Sequence, residues 1–312
     1  SIPDLNMDML WCKPGTFMMG SPEDETGRRD DETQHEVTLT QGFYLGKYEV
    51  TQAQREKVVG TIGGATLTEA QKQAAWTLER SIFKVADQTD ELAVKMAISN
   101  GDFQGAADAR DRRLKREDEE WERVRRYELS GRWPKDLGLT NAEIDEKSAM
   151  EKVSWDDAMK FCEKLTQMEK AAGRLPEGWV YTLPTEAQWE YACRAGTVTA
   201  YSFGDEITPK QANFNRNVGK TTDGLQYPAN AWGFHDMHGN VWEWCSDWYG
   251  DYPSGSVSDP VGPSDGSRRV YRGGGWYGSG GIMRSAARYR NSPDYRVLGL
   301  RFRLSLQRET EK

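Results

Sequence analysis

Beyond Gly196 the chain carries no helical periodicity; Gly, Asn, Asp and Trp crowd the rest of its length instead. A helix buries one face through an apolar stripe recurring every three or four residues, so a segment without one folds as loops and short strands. The 12 Trp and 31 Gly among 312 residues fit a loop-rich fold with a few large aromatic anchors, not a helix bundle. With 37% apolar and 29% charged residues, the chain is too apolar for disorder. A net charge of −8 excludes nucleic acid as the main partner, because phosphate binding needs a basic surface.

Upstream of Gly196 the pattern alternates between strand and helix. Pro14-Gly15 reads as a turn, Thr16–Met19 as a short strand, and Glu36–Thr40 alternates as a half-buried strand does. Phe43–Val50 is a third strand-like run, and Thr51 is placed to cap a helix. Residues 60–150 read as a helical insertion: Leu67, Ala70, Ala74, Leu78, Ile82 and Val85 recur at helical spacing, and the charged run Arg110–Arg126 is a solvated helix face with no chemistry assigned. Two compact helices follow. Ser154 with Asp157 caps the first, which buries Ala158, Phe161, Cys162 and Leu165; Thr185 with Gln188 caps the second, which turns Trp189, Ala192 and Cys193 inward and ends at Gly196. This order predicts an α+β domain spanning 1–312, with the insertion inside it.

Cys12, Cys162, Cys193 and Cys245 are too few and too scattered for a disulfide framework, and Cys162 and Cys193, on apolar helix faces, are expected as buried free thiols. The sequence has no apolar run of membrane-spanning length and no signal-peptide pattern at Ser1. Either a cytosolic chain or the mature form of an exported one is compatible with that.

Six motifs occur in order: Gly15-Thr16-Phe17-Met18-Met19-Gly20, Tyr48-Glu49-Val50-Thr51-Gln52, Val153-Ser154-Trp155-Asp156-Asp157-Ala158, Leu183-Pro184-Thr185-Glu186 through Gly196, Gly239-Asn240-Val241-Trp242-Glu243-Trp244, and Arg272-Gly273-Gly274. Together they resemble the formylglycine-generating-enzyme family from about residue 9 to residue 304. The resemblance implies a C-type-lectin-like fold: a small twisted antiparallel sheet, two main helices and long ordered loops. It does not fix function, since that family holds copper-dependent oxidases, iron-dependent sulfoxide synthases and non-catalytic binding proteins.

Residue chemistry weighs against the enzymes. The oxidase holds Cu(I) on two cysteine thiolates, yet residues 273–283 contain no cysteine, and a lone Met283 reads as packing. The sulfoxide synthases carry iron on histidines of an added helical domain, and the insertion has none. His35, His235 and His238 are the only histidines; His235-x-x-His238 with Asp236 and Glu243 lacks a third His or Cys for zinc, leaving hydrogen-bonded structural histidines as the expectation. No catalytic residue and no catalytic cofactor is therefore expected. Calcium is the candidate metal, because hard cations take oxygen ligands from loops. The family's calcium positions map onto Asp236, Gly239, Val241 and Glu243 for one site, and Asn213, Phe214, Asp223 and Leu225 for a second, with a structural role. The alternative is that these groups cap tight loops by hydrogen bonds alone.

From Arg269 to Leu304 there is no Lys, Glu or Gln. One set of residues forms a framework that includes Arg272, Trp276, Arg284, Arg288, Arg290, Arg296 and Arg303. Between its members sit Tyr271, Gly275, Tyr277, Gly278, Ser279, Gly280, Gly281, Ile282, Ala287, Tyr289, Tyr295, Val297, Leu298 and Gly299, with no helical or strand period. This interleaving resembles the variable proteins of diversity-generating retroelements, where randomised template adenines turn AAC codons into NNC codons. Such codons encode every one of the fourteen intercalated residues. One departure is Arg301, where the family usually has Gly before Phe-Arg.

The resemblance implies a non-enzymatic, variable ligand-binding protein, displayed at a bacterial cell surface through a lipid anchor. The intercalated residues of segment 269–304 would meet an unknown protein or cell-surface ligand. A monomer is expected. The alternatives are a formylglycine-generating-type oxidase or other metal-dependent enzyme, and a structural module of a larger assembly.

Overall fold

Thr51, Ser154 and Thr185 each start a helix by the same device. In the computed structural model, which describes residues 1–59, 153–222, 225–297 and 299–309, each side chain accepts a hydrogen bond from the backbone three residues on. In every case the residue three positions on also accepts one from the cap's own N–H. Two of the N–H donors that a helix start leaves unpaired are thereby satisfied. The helices are α1 (Gln52–Val59), α2 (Trp155–Ala171) and α3 (Glu186–Arg194). The insertion expected at 60–150 lies outside the described residues, as do Asp223 and Leu298. At the end of α3 the left-handed cap is Ala195 (φ 48°), one residue before the expected Gly196, which follows at φ 92°.

The strands sort into three small sheets. One joins β1 (Met9–Cys12), β4 (Phe43–Gly46), β11 (Ser305–Arg308) and β5 (Trp179–Thr182), antiparallel throughout. A second orders β10 (Leu300–Phe302), β6 (Trp242–Trp248), β8 (Arg269–Arg272) and β9 (Tyr289–Asn291). The third holds β2 (Gly15–Met19), β3 (His35–Leu39) and β7 (Val257–Ser258). The antiparallel sheet implied by the family resemblance is the first; β10–β6 and β3–β7 are parallel pairs that the sequence did not suggest. The strand read over Phe43–Val50 stops at Gly46. Beyond it Lys47 N–H turns to Asp8 O and Val50 N–H to Phe302 O, so no ladder continues.

The core lies between α3 and the sheets. Trp189 of α3 is fully buried with Ala192 and Cys193, against Leu39, Phe43, Leu45, Phe234, Met237, Cys245 and Val270. Its indole Nε1 donates to Glu243 at 2.8 Å, which satisfies the one polar atom of the largest core side chain. On α2, Phe161 meets Phe302 of β10 edge to face, ring centres 5.2 Å apart. All four cysteines are free and buried, Cys162 and Cys193 as expected. Among the described residues no helix is long and apolar enough to cross a membrane.

Candidate functional site

Four arginines of the C-terminal segment, Arg272, Arg284, Arg288 and Arg303, are among the largest fully buried side chains of the molecule. Burying a guanidinium costs several kcal/mol unless its charge and donors are matched, and here each has a carboxylate. Arg303 grips Glu243 through two hydrogen bonds of 2.8 and 2.9 Å. Arg288 holds Glu186 in the same two-pronged way at 2.6 and 2.8 Å, and Arg284 holds Glu32 at 2.7 and 2.8 Å. Arg272 pairs with Glu190, which also takes Arg194. Further guanidinium donors close on carbonyls: Arg272 on Ala286 and Ala287, Arg284 on Gly27, Arg303 on Gly46 and His235. Arg272 Nε makes no hydrogen bond among the described residues and lies 3.5 Å from Glu186 Oε1. These planar forks tie the segment to α3, to β6 and to the 20–32 loop.

The glycine-rich stretch between them is held by its backbone. Gly278 O accepts from Asn215 N–H, Trp276 O from Arg216 N–H, and Gly273 O from Gly239 N–H. Gly239 itself sits at φ 89°, and a Cβ there would lie 2.3 Å from Asn213 O.

With the framework fixed, the intercalated residues divide. Tyr271, Tyr277, Gly280, Ile282, Tyr289 and Tyr295 are half-buried, and Ser279 and Gly281 are exposed. Gly275, Gly278, Ala287, Val297 and Gly299 are buried. Ala287 is 1% exposed, and Gly299 sits at φ 78°, where any side chain is strained. Eight of the expected contact positions are thus at least partly exposed, and the five buried ones serve as packing.

The tyrosines converge on Trp242 of β6. Its ring meets Tyr271 at 5.1 Å and Tyr289 at 4.8 Å, both edge to face, and its Nε1 donates to the Tyr277 hydroxyl at 3.0 Å. Tyr271 and Tyr289 stack at 6.0 Å, and the guanidinium of Arg29 lies 4.7 Å over the Tyr289 ring. Burial pushes the Tyr271 phenol well above its ordinary range, and the hydroxyls of Tyr295, Tyr277 and Tyr289 push the same way. Burial likewise raises Tyr277 and Tyr289. The result is an uncharged aromatic patch edged by one cation, suited to contact and hydrogen bonding. Sequence reasoning missed Trp242 and Arg29 as parts of it. Trp242 was visible only as part of a family motif, and nothing near Arg29 pointed to the C-terminal segment.

The metal-site residues are partly matched. Asn213 Oδ1 and Asp236 Oδ1 are buried oxygens with no hydrogen-bond donor among the described residues, as befits ligands of a hard cation. Asp236 Oδ2 accepts from Leu225 N–H at 3.3 Å, linking the two expected sets. Glu243 departs from the expectation, because Arg303 and Trp189 already engage both its oxygens. The Phe214 carbonyl accepts from Asn217 N–H. Gly239 and Val241 are buried in the loop entering β6.

The histidines are structural in their bonding. Ser202 N–H donates to His238 Nε2 at 3.0 Å, so Nδ1 carries the hydrogen and donates to Met283 O at 2.7 Å. Burial lowers the His238 pKa to about 4, keeping it neutral. His235 Nδ1 bonds Tyr227 O at 2.9 Å. Cys193, 3.7 Å from His238 Nε2, has its thiol pushed up to about 12 by burial. A protonated buried thiol is a poor nucleophile and metal ligand.

A mixed α+β domain with three small sheets, long arginine-pinned loops and an aromatic patch is a C-type-lectin-like domain of the formylglycine-generating type. Residues 3–307 match the sulfatase-modifying factor enzyme 1-like domain, and the chain belongs to that family. It is 28% identical over 318 residues to the formylglycine-generating enzyme of Mus musculus, covering 95% of this chain and 74% of that enzyme. A 116-residue stretch is 47% identical to the serine/threonine-protein kinase pkn1 of Chlamydia caviae, covering 36% of this chain and 18% of the kinase. The match thus spans about a fifth of the kinase's length. The fold is similar to that of Treponema denticola variable protein 1, with TM-score 0.59, 22% identity, and 96% and 94% of the two chains covered.

Proposed function

We propose that the protein is a non-enzymatic binding protein whose intercalated C-terminal residues vary and whose arginine framework does not. One observation carries this reading. Tyr271, Tyr277 and Tyr289 gather on Trp242 as a partly exposed patch, while the arginines interleaved with them are buried in ion pairs. Residues proposed to change and residues that hold the fold, interleaved in sequence, would thereby be separated in space. Tyrosine gives large contact area at low rotamer cost, and Ser279, Gly280 and Gly281 shape the ground beside it. The partner proposed is a protein or cell-surface ligand, met by a chain displayed on the cell surface.

Calcium is proposed as a structural ion of the loops at the two expected sites, with Asp236 Oδ1 a ligand in one and Asn213 Oδ1 in the other. Glu243 would join it only by loosening its pair with Arg303.

Sequencing the gene across isolates tests the reading. Substitutions confined to the exposed intercalated codons are expected, and an even spread over framework and intercalated codons would overturn it. The enzymatic alternative is checked by copper-dependent oxygen consumption with a cysteine-containing sulfatase peptide. No turnover is expected, and turnover would reverse the assignment.

A further inference from the structure

We propose that a second cavity, enclosed by the end of β6, the 249–263 loop, and the adjoining ends of β2 and β3, binds a small primary ammonium with an apolar body. The cavity measures about 230 Å³ and lies among residues that the aromatic patch does not use. Its hydrogen-bonding atoms are unequal. Every nitrogen of the Arg288 guanidinium is engaged, by Glu186 and by the carbonyls of Asp31 and Gly250. The Tyr252 hydroxyl donates to Glu186 at 3.0 Å. The guanidinium of Arg288 and the hydroxyl of Tyr252 are thus taken.

Acceptors remain. His35 is 5% exposed; its Nδ1 bonds Thr33 O at 3.0 Å, which in the neutral ring leaves Nε2 as the acceptor, and that atom has no hydrogen-bond partner among the described residues. Asp247 is 4% exposed. Its hydrogen bonds, from Glu186 N–H at 2.8 Å and the Ser246 hydroxyl at 3.1 Å, both fall on Oδ2, leaving Oδ1 unbonded among the described residues. Asp251 adds a further carboxylate to the lining. An ammonium brings three N–H donors and no acceptor, the complement of this set. The walls suit an apolar body, since Trp248, Pro253, Pro260 and Pro263 form them. The cavity falls below the ~300 Å³ at which drug-sized sites begin, so the ligand is small.

The charges facing the cavity support the sign. Glu186 is matched by Arg288, whereas burial, followed by the charge of Glu186, pushes the Asp247 carboxyl up to about 7. An arriving cation would relieve that strain on an ionised Asp247.

The test titrates the full chain with benzylamine and, separately, with the neutral isostere benzyl alcohol, by calorimetry and ligand-observed NMR. Benzylamine is expected to bind roughly tenfold or more tighter than the alcohol, and Asp247→Asn to remove that preference. Val261 lines the cavity and is 59% exposed, so Val261→Trp fills the space without disturbing the core and is expected to abolish binding. This second variant decides the matter should Asp247→Asn fold poorly. Equal binding of amine and alcohol, no amine binding at millimolar concentration, or binding unchanged by Val261→Trp would overturn the proposal.

Discussion

Arg303 and Ser279 lie in the same segment and carry opposite loads. Arg303 is fully buried and, among the described residues, is the one arginine bonded to Glu243, with Glu49 and Asp236 close enough to bear on its charge. Arg303→Met would strand that carboxylate and is expected to cost about 3–5 kcal/mol, read from the urea midpoint. Ser279 is exposed, so Ser279→Tyr is expected to stay within about 0.5 kcal/mol of the parent. Asp247 gives a pH signature. Its folded pKa of about 7 stands above the ordinary 3.8, so the folded chain keeps a proton that the unfolded chain releases. That contribution is complete below about pH 3.8 and is lost as pH rises through 7. Asp247→Asn cannot titrate, so thermal melts from pH 4 to pH 8 are expected to show the parent losing stability relative to the variant as pH rises.

At the scale of elements, the helix starts were the most legible part of the sequence, because a capping box is a local device written in four residues. Thr185→Ala is expected to cost about 1 kcal/mol, measured by denaturant unfolding. The end of β4 was less legible: Phe43–Val50 has strand composition throughout, and only partners from distant parts of the chain, Asp8 and Phe302, decide where the ladder stops. The same holds for Ala287 and Gly299. Their codon class places them with the contact residues, while tertiary packing buries them. The loops around Asn213 and Asp236 carry the calcium proposal. Removal of calcium by a chelator is expected to lower the melting temperature by several degrees, with calcium restoring it, and Asn213→Ala is expected to remove the difference. A midpoint indifferent to chelator would remove the ion from the account.

For the whole molecule, the C-terminal segment both closes the fold and carries the candidate surface. β11 sits between β4 and β5, β10 lies parallel to β6, and Arg284, between β8 and β9, reaches Glu25 and Glu32 near the other end of the chain. The α+β class was legible because the capping boxes and the glycine-rich second half follow local rules. The division into three sheets was not, because parallel pairs such as β10–β6 join strands far apart in sequence. The central claim is that one segment holds two residue sets with opposite tolerance to change. It is tested most directly by two libraries of the full chain, sorted for protease resistance. One randomises Tyr271, Tyr277, Ser279, Gly280, Gly281, Ile282, Tyr289 and Tyr295 with NNC codons; the other applies the same codons to Arg272, Arg284, Arg288 and Arg303. Most members of the first are expected to remain folded and almost none of the second, whereas equal losses in both would contradict the claim.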